Sequence, residues 1–237
     1  MIVLASLHPP SSLILQLGLL GIWLGIVIGS AELLKRFFPN DPEITRKVVH
    51  IGTGNVILLA WWLDIPTWVG IAASVIFSVV TLLSYRYPIL ASVSGVGRKS
   101  WGTFFYALSI GLLIAWFWPL KLPQYAAIGI LTMTWGDGLA ALIGQRWGQH
   151  PYQVWGMQKS WEGSLSMAGV SFLIIYSILS MTQGQGLATA GIAIAISILV
   201  SSLEAFSKWG IDNLTVPLAS ATLCFIVSEF WLGSLQK

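Results

Sequence analysis

The chain has 237 residues, of which 56% are hydrophobic and only 9% are charged, and its formal net charge is +3. A soluble domain carries about 25% charged residues, so this composition excludes a water-soluble globular protein and indicates a chain that lies mostly in lipid. The weak positive charge, without any long run of basic residues, argues against nucleic acid as a partner, and the single cysteine, Cys224, excludes an intramolecular disulfide and a cysteine-based zinc site.

The apolar stretches predict an all-α, polytopic transmembrane bundle that forms a single domain over residues 1–237, with seven or eight spans of about 20 residues each. Met1 to Pro10 carry no Lys or Arg, so the first apolar stretch is interpreted as a retained span and not as a cleaved signal peptide. The amphipathic residues 30–47 are expected to lie at the membrane interface, before a core at 48–233. The expected spans are 12–29, 48–63, 65–84, 101–119, 122–144, 164–181, 187–206 and 214–233.

The basic residues fall almost entirely in loops that share one side of an eight-span bundle. The other side holds only Lys121 and Lys237. By the positive-inside rule, the basic side faces the cytoplasm, or the stroma in a plastid. The plasma membrane and the thylakoid membrane are both possible locations. The residues on the basic side are Lys35, Arg36, Arg46, Lys47, Arg86, Arg98, Lys99, Arg146, Lys159 and Lys208.

A ladder of small residues occupies one face of the first predicted span. Gly21, Gly25 and Gly29 are each four residues apart. Small residues at this spacing allow helix backbones to approach closely in membranes. The ladder therefore predicts close helix packing.

A basic motif with a histidine stands at the start of the second predicted span. Lys47, His50 and Gly54 are spaced so that they share one face of a helix. Together with Arg46, this face can bind an anion, with His50 as a hydrogen-bond donor to phosphate or as a proton carrier. A positive-inside anchor, with a histidine satisfied by a neighbouring helix, explains the same residues equally well.

A stripe made of one acidic residue followed by small residues begins in the fifth predicted span. Asp137, Ala140, Gly144 and Gly148 lie on one stripe of an α-helix, and an ionisable residue inside a span is costly and tends to be functional. The stripe predicts a groove that a ligand or another backbone can approach, with Asp137 as its reactive group. The structural alternative is an Asp paired with a nearby Lys or Arg and glycines that serve packing only.

Three polar residues, Lys159, Ser160 and Glu162, come just before the sixth predicted span. A lysine and a serine suit phosphate oxygens, and a glutamate suits a divalent cation. By itself, the motif is better explained as a helix start, with Ser160 as the N-cap and Glu162 favoured by the helix dipole.

Asp212 and Asn213 come at the start of the last predicted span. Their side-chain oxygens are of the kind that binds Mg²⁺, although Asp and Asn are also common in turns. Shortly before them, Glu204 and Lys208 are four residues apart and can form a simple ion pair on the helix surface.

The topology places these four motifs at the same membrane face. Basic groups, acids and an amide in a hydrophobic bundle suit a metal-bound polyphosphate that meets a lipophilic partner. The chain lacks a P-loop, a dinucleotide-binding fingerprint, a nucleophile elbow and a zincin motif, which argues against a fused soluble kinase or hydrolase module. The residues expected to share one pocket are Arg46, Lys47, His50, Asp137, Lys159, Glu162, Asp212 and Asn213.

The motifs together resemble the signature of the CTP-dependent polyprenol kinases, which include dolichol, phytol and farnesol kinases. The resemblance rests on D-x-x-A-x-x-x-G-x-x-x-G from Asp137 and K-S-x-E-G from Lys159, supported by R-K-x-x-H from Arg46 and D-N-x-x-x-P from Asp212. It covers most of the chain. One departure is Gln158, where dolichol kinases often have a second Lys, so one phosphate contact is in question. Chain length and the tryptophan-rich pattern most resemble cyanobacterial and plastid phytol kinases.

The resemblance implies transfer of the γ-phosphoryl group of CTP, with Mg²⁺, to a primary prenyl alcohol such as phytol, farnesol or geranylgeraniol. It implies that Asp137 binds the metal or accepts the proton of the alcohol. It also implies that Glu162, Asp212 and Asn213 complete the metal shell and that His50 donates a hydrogen bond to a phosphate oxygen. The residues implied to bind the phosphates are Arg46, Lys47, Lys159 and Ser160. Gly144 and Gly148 are implied to leave space for the nucleotide.

Two other functions stay open on the residues alone. A cytidylyltransferase of the phosphatidate type also uses CTP, Mg²⁺ and a lipid, but releases pyrophosphate where a kinase releases CDP. A small transporter could use Asp137 as a coupling site, although the chain has no evident inverted repeat and its acids sit at one face and not at the midplane. No residue that reads the base is identifiable, so UTP is an alternative donor.

Overall fold

The computed structural model describes residues 12–39, 41–87 and 100–232, with side chains described as far as Phe230. The predictions that concern Met1 to Pro10, Arg98, Lys99 and Lys237 lie outside these residues. The first half of the chain forms helices α1 (Leu13–Phe37), α2 (Pro42–Gly54), α3 (Val56–Trp62), α4 (Thr67–Ser84) and α5 (Gly102–Phe117).

The second half of the chain begins with a long helix that changes its winding. Helix α6 (Pro123–Leu131) passes through a π-helical segment (Thr132–Asp137) directly into α7 (Gly138–Trp147). The remaining elements are the hairpin strands β1 (Pro151–Val154) and β2 (Met157–Ser160), the helices α8 (Trp161–Gln183), α9 (Leu187–Phe206) and α10 (Asp212–Val227), and a second π-helical segment (Ser228–Leu232).

The protein is an integral membrane, all-α bundle, which confirms the predicted fold class. Among the described residues, six helical stretches are long and apolar enough to cross a membrane. Helix α5 is apolar but shorter, at 16 residues. Helices α2 and α3, which meet at Asn55, take the place of the predicted second span. The six stretches are Leu13–Phe37, Thr67–Ser84, Pro123–Trp147, Trp161–Gln183, Leu187–Phe206 and Asp212–Phe230.

Residues 30–47, expected to form one interfacial segment, belong to two helices. Helix α1 continues to Phe37, and α2 begins at Pro42 and runs across the expected boundary at residue 48. Asp41 caps α2, since its side chain accepts a hydrogen bond from the Ile44 N–H at 3.4 Å, and a proline suits the first helical position because no N–H is needed there. The anion-facing motif predicted at Arg46 and Lys47 therefore lies within α2.

The predicted loop at 145–163 contains the β-hairpin. Val154 and Met157 are its last paired residues, and Trp155 and Gly156 form a two-residue turn between them. Both turn residues have positive φ, 49° and 78°, as the tight turns of type I′ require. The hairpin was missed in the sequence because an asparagine or aspartate before the glycine, the usual signal, is replaced by tryptophan.

Helix α6 is the centre of the bundle. All of its residues from Tyr125 to Leu131 are buried, and it packs against α3, α5, α8 and α10. A helix that is apolar all round is buried on every side. Because α6 is enclosed in this way, the π-helical segment that follows holds Asp137 at a fixed place inside the bundle.

The glycine ladder of α1 packs against none of the helices that the structure describes. No described atom outside α1 lies within 4 Å of a Cβ added at Gly21, Gly25 or Gly29. Close packing inside the bundle instead uses Gly54, whose added Cβ would lie 2.2 Å from Thr134 Cγ2, and Gly129.

We expect Gly129→Ala to destabilise the protein by about 1–3 kcal/mol, the usual cost of overpacking a core. The added Cβ would lie 2.5 Å from the backbone oxygen of Pro217 and 2.8 Å from Leu113 Cδ1, so α6 and α10 would have to move apart. The measurement is thermal unfolding in detergent. Gly21→Ala is the matched control, and equal effects of the two substitutions would contradict this packing.

Candidate active site

Asp137 stands where the π-helical segment passes into α7, facing the basic motif of α2. The Nζ of Lys47 donates to the Asp137 Oδ2 at 2.6 Å and to its backbone oxygen at 3.4 Å. The Nε2 of His50 lies 3.7 Å from the same Oδ2. Lys47 is only 3% exposed, so this is a charge pair inside the bundle. The helical face predicted from Lys47 and His50 is thus turned toward Asp137.

Two more carboxylates complete a cluster with Asp137. One oxygen each of Asp137, Glu204 and Asp212 lies within 4.8 Å of the others. Glu204 lies in the last turn of α9, and Asp212 is the first residue of α10. The turn between these helices passes through Gly210, whose φ is 83° and which approaches Gly102 of α5 closely enough that an added Cβ would lie 2.5 Å from its Cα.

Glu204 pairs with Lys159 of the hairpin, not with Lys208. The Lys159 ammonium makes a short charge-assisted hydrogen bond to the Glu204 carboxylate, whereas the Lys208 ammonium lies 5.2 Å from the centre of the Trp209 ring. Glu204 was interpreted in the sequence as half of a surface pair and was missed as a site residue. The signal that could have found it is its place within an apolar span, where an acid is costly.

Lys159 reaches the cluster because the hairpin leans on the end of α9. Burial works to lower the pKa of its ammonium, but the neighbouring Glu204 carboxylate raises that pKa above its ordinary value. A lysine with a raised pKa stays protonated throughout the neutral range. Lys159 therefore contributes a permanent positive charge at the edge of three acids.

Two buried polar atoms beside the carboxylates have no hydrogen-bond partner among the described residues. They are the Nε2 of His50 and the Oδ1 of Asn213. The His50 ring packs on Tyr106, with centroids 4.7 Å apart. The Asn213 Nδ2 donates to the Gly210 backbone oxygen at 3.3 Å, which fixes the opposite end of the amide. Buried polar groups are nearly always paired in folded proteins, so both atoms are suited to a ligand.

Arg46 lies on the same helix as Lys47 but is more exposed. Its guanidinium holds Glu43 through two hydrogen bonds, from Nε at 3.0 Å and from Nη2 at 2.5 Å. Its side chain is 41% exposed. Arg46 is therefore placed at the outer side of the site, where it can meet a charged ligand that arrives from water.

Gly144 and Gly148 border a close approach of other backbone, one of the two uses that the sequence suggested for this stripe. A Cβ added at Gly144 would lie 3.0 Å from the Ser160 Oγ, and one added at Gly148 would lie 2.2 Å from the Gly144 backbone oxygen and 2.8 Å from the Ser160 Oγ. Ser160 caps α8 by accepting from the Gly163 N–H at 3.2 Å. The glycines let α7 approach the hairpin and α8, and a direct contact with nucleotide stays a prediction for all three residues.

Glu162 lies at the base of the hairpin and is not one of the three clustered carboxylates. Its Oε1 is 2.6 Å from the His150 Nδ1, and its Oε2 accepts from the His150 backbone N–H at 3.3 Å. The Trp161 N–H in turn donates to the His150 backbone oxygen at 3.0 Å. These contacts close the hairpin at its open end, so Glu162 is placed to hold the strand that carries Lys159.

We expect Glu162→Gln to lower turnover less than about tenfold and to leave the Mg²⁺ concentration needed for half-maximal activity unchanged. A glutamine oxygen can still accept from His150, and the neutral side chain weakens only a charge-assisted hydrogen bond. The measurement is a magnesium titration of the wild type and the variant. A large rise in the magnesium requirement would instead support the predicted place of Glu162 in the metal shell.

The donor set of the cluster fits a divalent cation. The three carboxylates are hard oxygen donors of the type that magnesium takes. Asn213, next to Asp212 in the chain, adds an amide oxygen that has no hydrogen-bond partner among the described residues. Two lysines and a histidine border the same space, and these groups suit phosphate oxygens. Acids for a metal next to cations for phosphates form the arrangement used to bind a metal–polyphosphate.

Comparison with known proteins places the chain in a family. A phytol kinase from Synechocystis sp. is 55% identical over 219 residues, which cover 92% of this chain and 94% of the relative. The chain belongs to the phytol kinase family. Within it, a probable phytol kinase 2, chloroplastic, from Oryza sativa is 28% identical and covers 82% of this chain and 72% of the relative. A farnesol kinase, chloroplastic, from Arabidopsis thaliana is 29% identical and covers 79% of this chain and 66% of the relative.

Family membership confirms the resemblance that the four motifs indicated. No protein-family model matches the chain. No solved structure matches it either. The motifs at Arg46, Asp137, Lys159 and Asp212 carried the resemblance, and each contributes a side chain to the site or to its border.

Proposed function

We propose that this protein is a membrane-embedded kinase that transfers the γ-phosphoryl group of CTP to a primary prenyl alcohol, with phytol as the first candidate. The observation that carries the proposal is the meeting of Asp137, Glu204 and Asp212 with Lys47 and Lys159 inside a membrane bundle. In a member of the phytol kinase family, this cluster is the natural place for a nucleotide and a lipid alcohol to react.

The cationic side chains bind and orient the triphosphate. Lys47 of α2 pairs with Asp137, and Lys159 of β2 pairs with Glu204. Arg46 lies toward the water. Phosphoryl transfer depends mainly on positioning and on neutralising charge at the phosphates. The Nε2 of His50, which is buried and has no hydrogen-bond partner among the described residues, is the group that would meet a phosphate oxygen.

A metal would be held by oxygen ligands from three elements. Asp137, Glu204, Asp212 and the Oδ1 of Asn213 would hold Mg²⁺, which neutralises negative charge on the β- and γ-phosphates when it is bound. The chain's contribution is to fix these oxygens in space. The π-helical segment sets Asp137, and the turn between α9 and α10 sets the other three.

The alcohol reaches the site from the bilayer, while the nucleotide reaches it from the water. The hydroxyl oxygen of the alcohol forms a bond to the γ-phosphorus of CTP. The bond between that phosphorus and the β–γ bridging oxygen breaks, so that CDP leaves. The hydroxyl proton passes to a carboxylate of the cluster. Asp137 is the candidate acceptor because it stands where α2 and α7 meet.

The face that carries the site corresponds to the basic loops of the sequence. Contacts join these loops at one end of the bundle: the Arg146 guanidinium lies 3.9 Å from the Asp41 carboxylate, and the Trp101 N–H donates to the Trp209 backbone oxygen at 3.1 Å. The positive-inside rule supports a cytoplasmic or stromal orientation for this end.

The products of the reaction test this proposal against the cytidylyltransferase. Purified protein in detergent is incubated with Mg²⁺, either phytol or phosphatidate as the acceptor, and CTP labelled at either the α- or the γ-phosphate. A kinase yields CDP that retains the α-label and a lipid that carries the γ-label. Release of labelled pyrophosphate together with a cytidine-containing lipid would establish the cytidylyltransferase instead.

A further inference from the structure

The tip of the β-hairpin carries a residue that its backbone conformation does not favour. Trp155 has a φ of 49°, and Gly156 follows it with a φ of 78°. Side chains with a Cβ are disfavoured at positive φ because the Cβ approaches the following carbonyl oxygen. Asn or Asp before Gly is the usual choice in such a turn, so the indole is kept here at a cost to the hairpin.

Packing within the chain does not explain the indole. Trp155 is 70% exposed, and its ring meets Phe206 only edge to face, at a centroid distance of 6.4 Å. A strained and exposed residue points to a function outside the fold. The side chain is therefore available to a ligand on its open face.

The position of Trp155 relates it to the carboxylate cluster. Phe206 follows Glu204 by two residues at the end of α9, so the hairpin tip rests beside the helix end that carries one of the three acids. After the turn, β2 leads from Met157 to Lys159, about 7 Å along the strand, and Lys159 pairs with Glu204. A nucleotide whose phosphates meet Lys159 would have its ribose and base toward the tip.

We propose that Trp155 is the platform on which the nucleobase of the donor stacks. This inference rests on the proposed function, since it assumes that a nucleotide occupies the cluster. An indole offers a large flat π-surface, and a base of any identity has a π-face to lay on it. Stacking supplies affinity without reading the base by hydrogen bonds, in keeping with a chain in which the sequence identified no base-reading residue.

The decisive variant is Trp155→Asn, because it removes the ring and relieves the backbone. Asn followed by Gly is the preferred pair for a two-residue hairpin turn, so the hairpin should fold at least as well as in the wild type. Equilibrium binding of labelled CTP with Mg²⁺, without any alcohol, should weaken by about 5- to 160-fold, the range for one base stacked on an aromatic side chain. Trp155→Phe keeps an aromatic face and should lose less.

A ligand without a base separates stacking from phosphate contacts. The inhibition constant of inorganic tripolyphosphate against CTP should be the same for the wild type and for Trp155→Asn. Trp68→Ala removes another exposed tryptophan (63% exposed), in the first turn of α4, and should leave CTP binding unchanged. An equal loss of tripolyphosphate and CTP affinity in Trp155→Asn would overturn the proposal.

The principal competing role for an exposed tryptophan in a membrane protein is an anchor at the lipid interface. In that case Trp155→Asn would bind CTP as the wild type does and would show a raised KM for the alcohol, which overturns the stacking. Wild-type protein that binds CTP but forms no prenyl phosphate would refute the proposed kinase while the binding comparison still decides the role of Trp155.

Discussion

Replacing Asp137 by Asn is expected to lower kinase turnover by about 100- to 1,000-fold or more, the cost of removing one group that is preorganised around the transferring charge. The amide has the shape of the carboxylate but neither binds a metal as an anion nor accepts the proton of the alcohol. The measurement is the rate at which label from γ-labelled CTP enters a lipid. Asp64→Asn, which changes an exposed acid before α4, is the control and should keep normal turnover.

Asp137→Asn also removes the anionic partner of Lys47, which is almost fully buried. Leaving a buried charge unpaired costs stability, so loss of activity must be separated from loss of fold. The double variant with Lys47→Met restores a neutral pair, and we expect it to unfold near the wild-type temperature while remaining inactive. Near-normal turnover in the folded single variant would remove Asp137 from the chemistry.

Glu204→Gln is expected to reduce turnover by about 100-fold and to raise the magnesium concentration required for half-maximal rate. Glu204 supplies one of three carboxylates that lie within 4.8 Å of one another, and an uncharged amide is a weaker ligand for a hard cation. It also holds Lys159 at the cluster. The measurement is a magnesium titration at saturating CTP and alcohol.

Glu229→Gln is the matched control for this prediction. Glu229 accepts a hydrogen bond from the Tyr125 hydroxyl at 2.8 Å, in the π-helical segment after α10, and it takes no part in the carboxylate cluster. We expect it to affect stability and not the magnesium requirement. If Glu204→Gln and Glu229→Gln shared the same magnesium dependence as the wild type, Glu204 would not be a ligand.

The spans could be predicted from the sequence because lipid leaves the backbone little choice but to form apolar helices. Local breaks were harder to foresee. Asn55 separates α2 from α3, and Asp137 ends a π-helical segment, yet both lie in apolar stretches that a hydropathy pattern treats as continuous. The hairpin at 151–160 escaped prediction because Trp155 stands where a turn residue is expected.

The site was predicted in part. Lys47 and Asp137 were chosen for their places near the end of apolar helices, and they meet at 2.6 Å. Glu204 was not predicted as a site residue, although its carboxylate lies in the cluster, and Glu162, whose place in the metal shell stays a prediction, lies outside the three clustered carboxylates. Sequence spacing alone cannot tell which side of a helix faces the cluster. The partner of Glu204 is a lysine 45 residues away, a contact created by tertiary packing.

The most direct test of the proposed activity is the transfer of label from γ-labelled CTP to a panel of alcohols. Purified protein in detergent with Mg²⁺ is given phytol, geranylgeraniol, farnesol or a long polyprenol, with unlabelled UTP or ATP as competing donors. The structure and the family predict label in a prenyl monophosphate, strongest with phytol, and none in the Asp137→Asn variant. Intact CTP and unlabelled lipid for every alcohol, from protein that is folded and binds CTP, would contradict the proposed kinase.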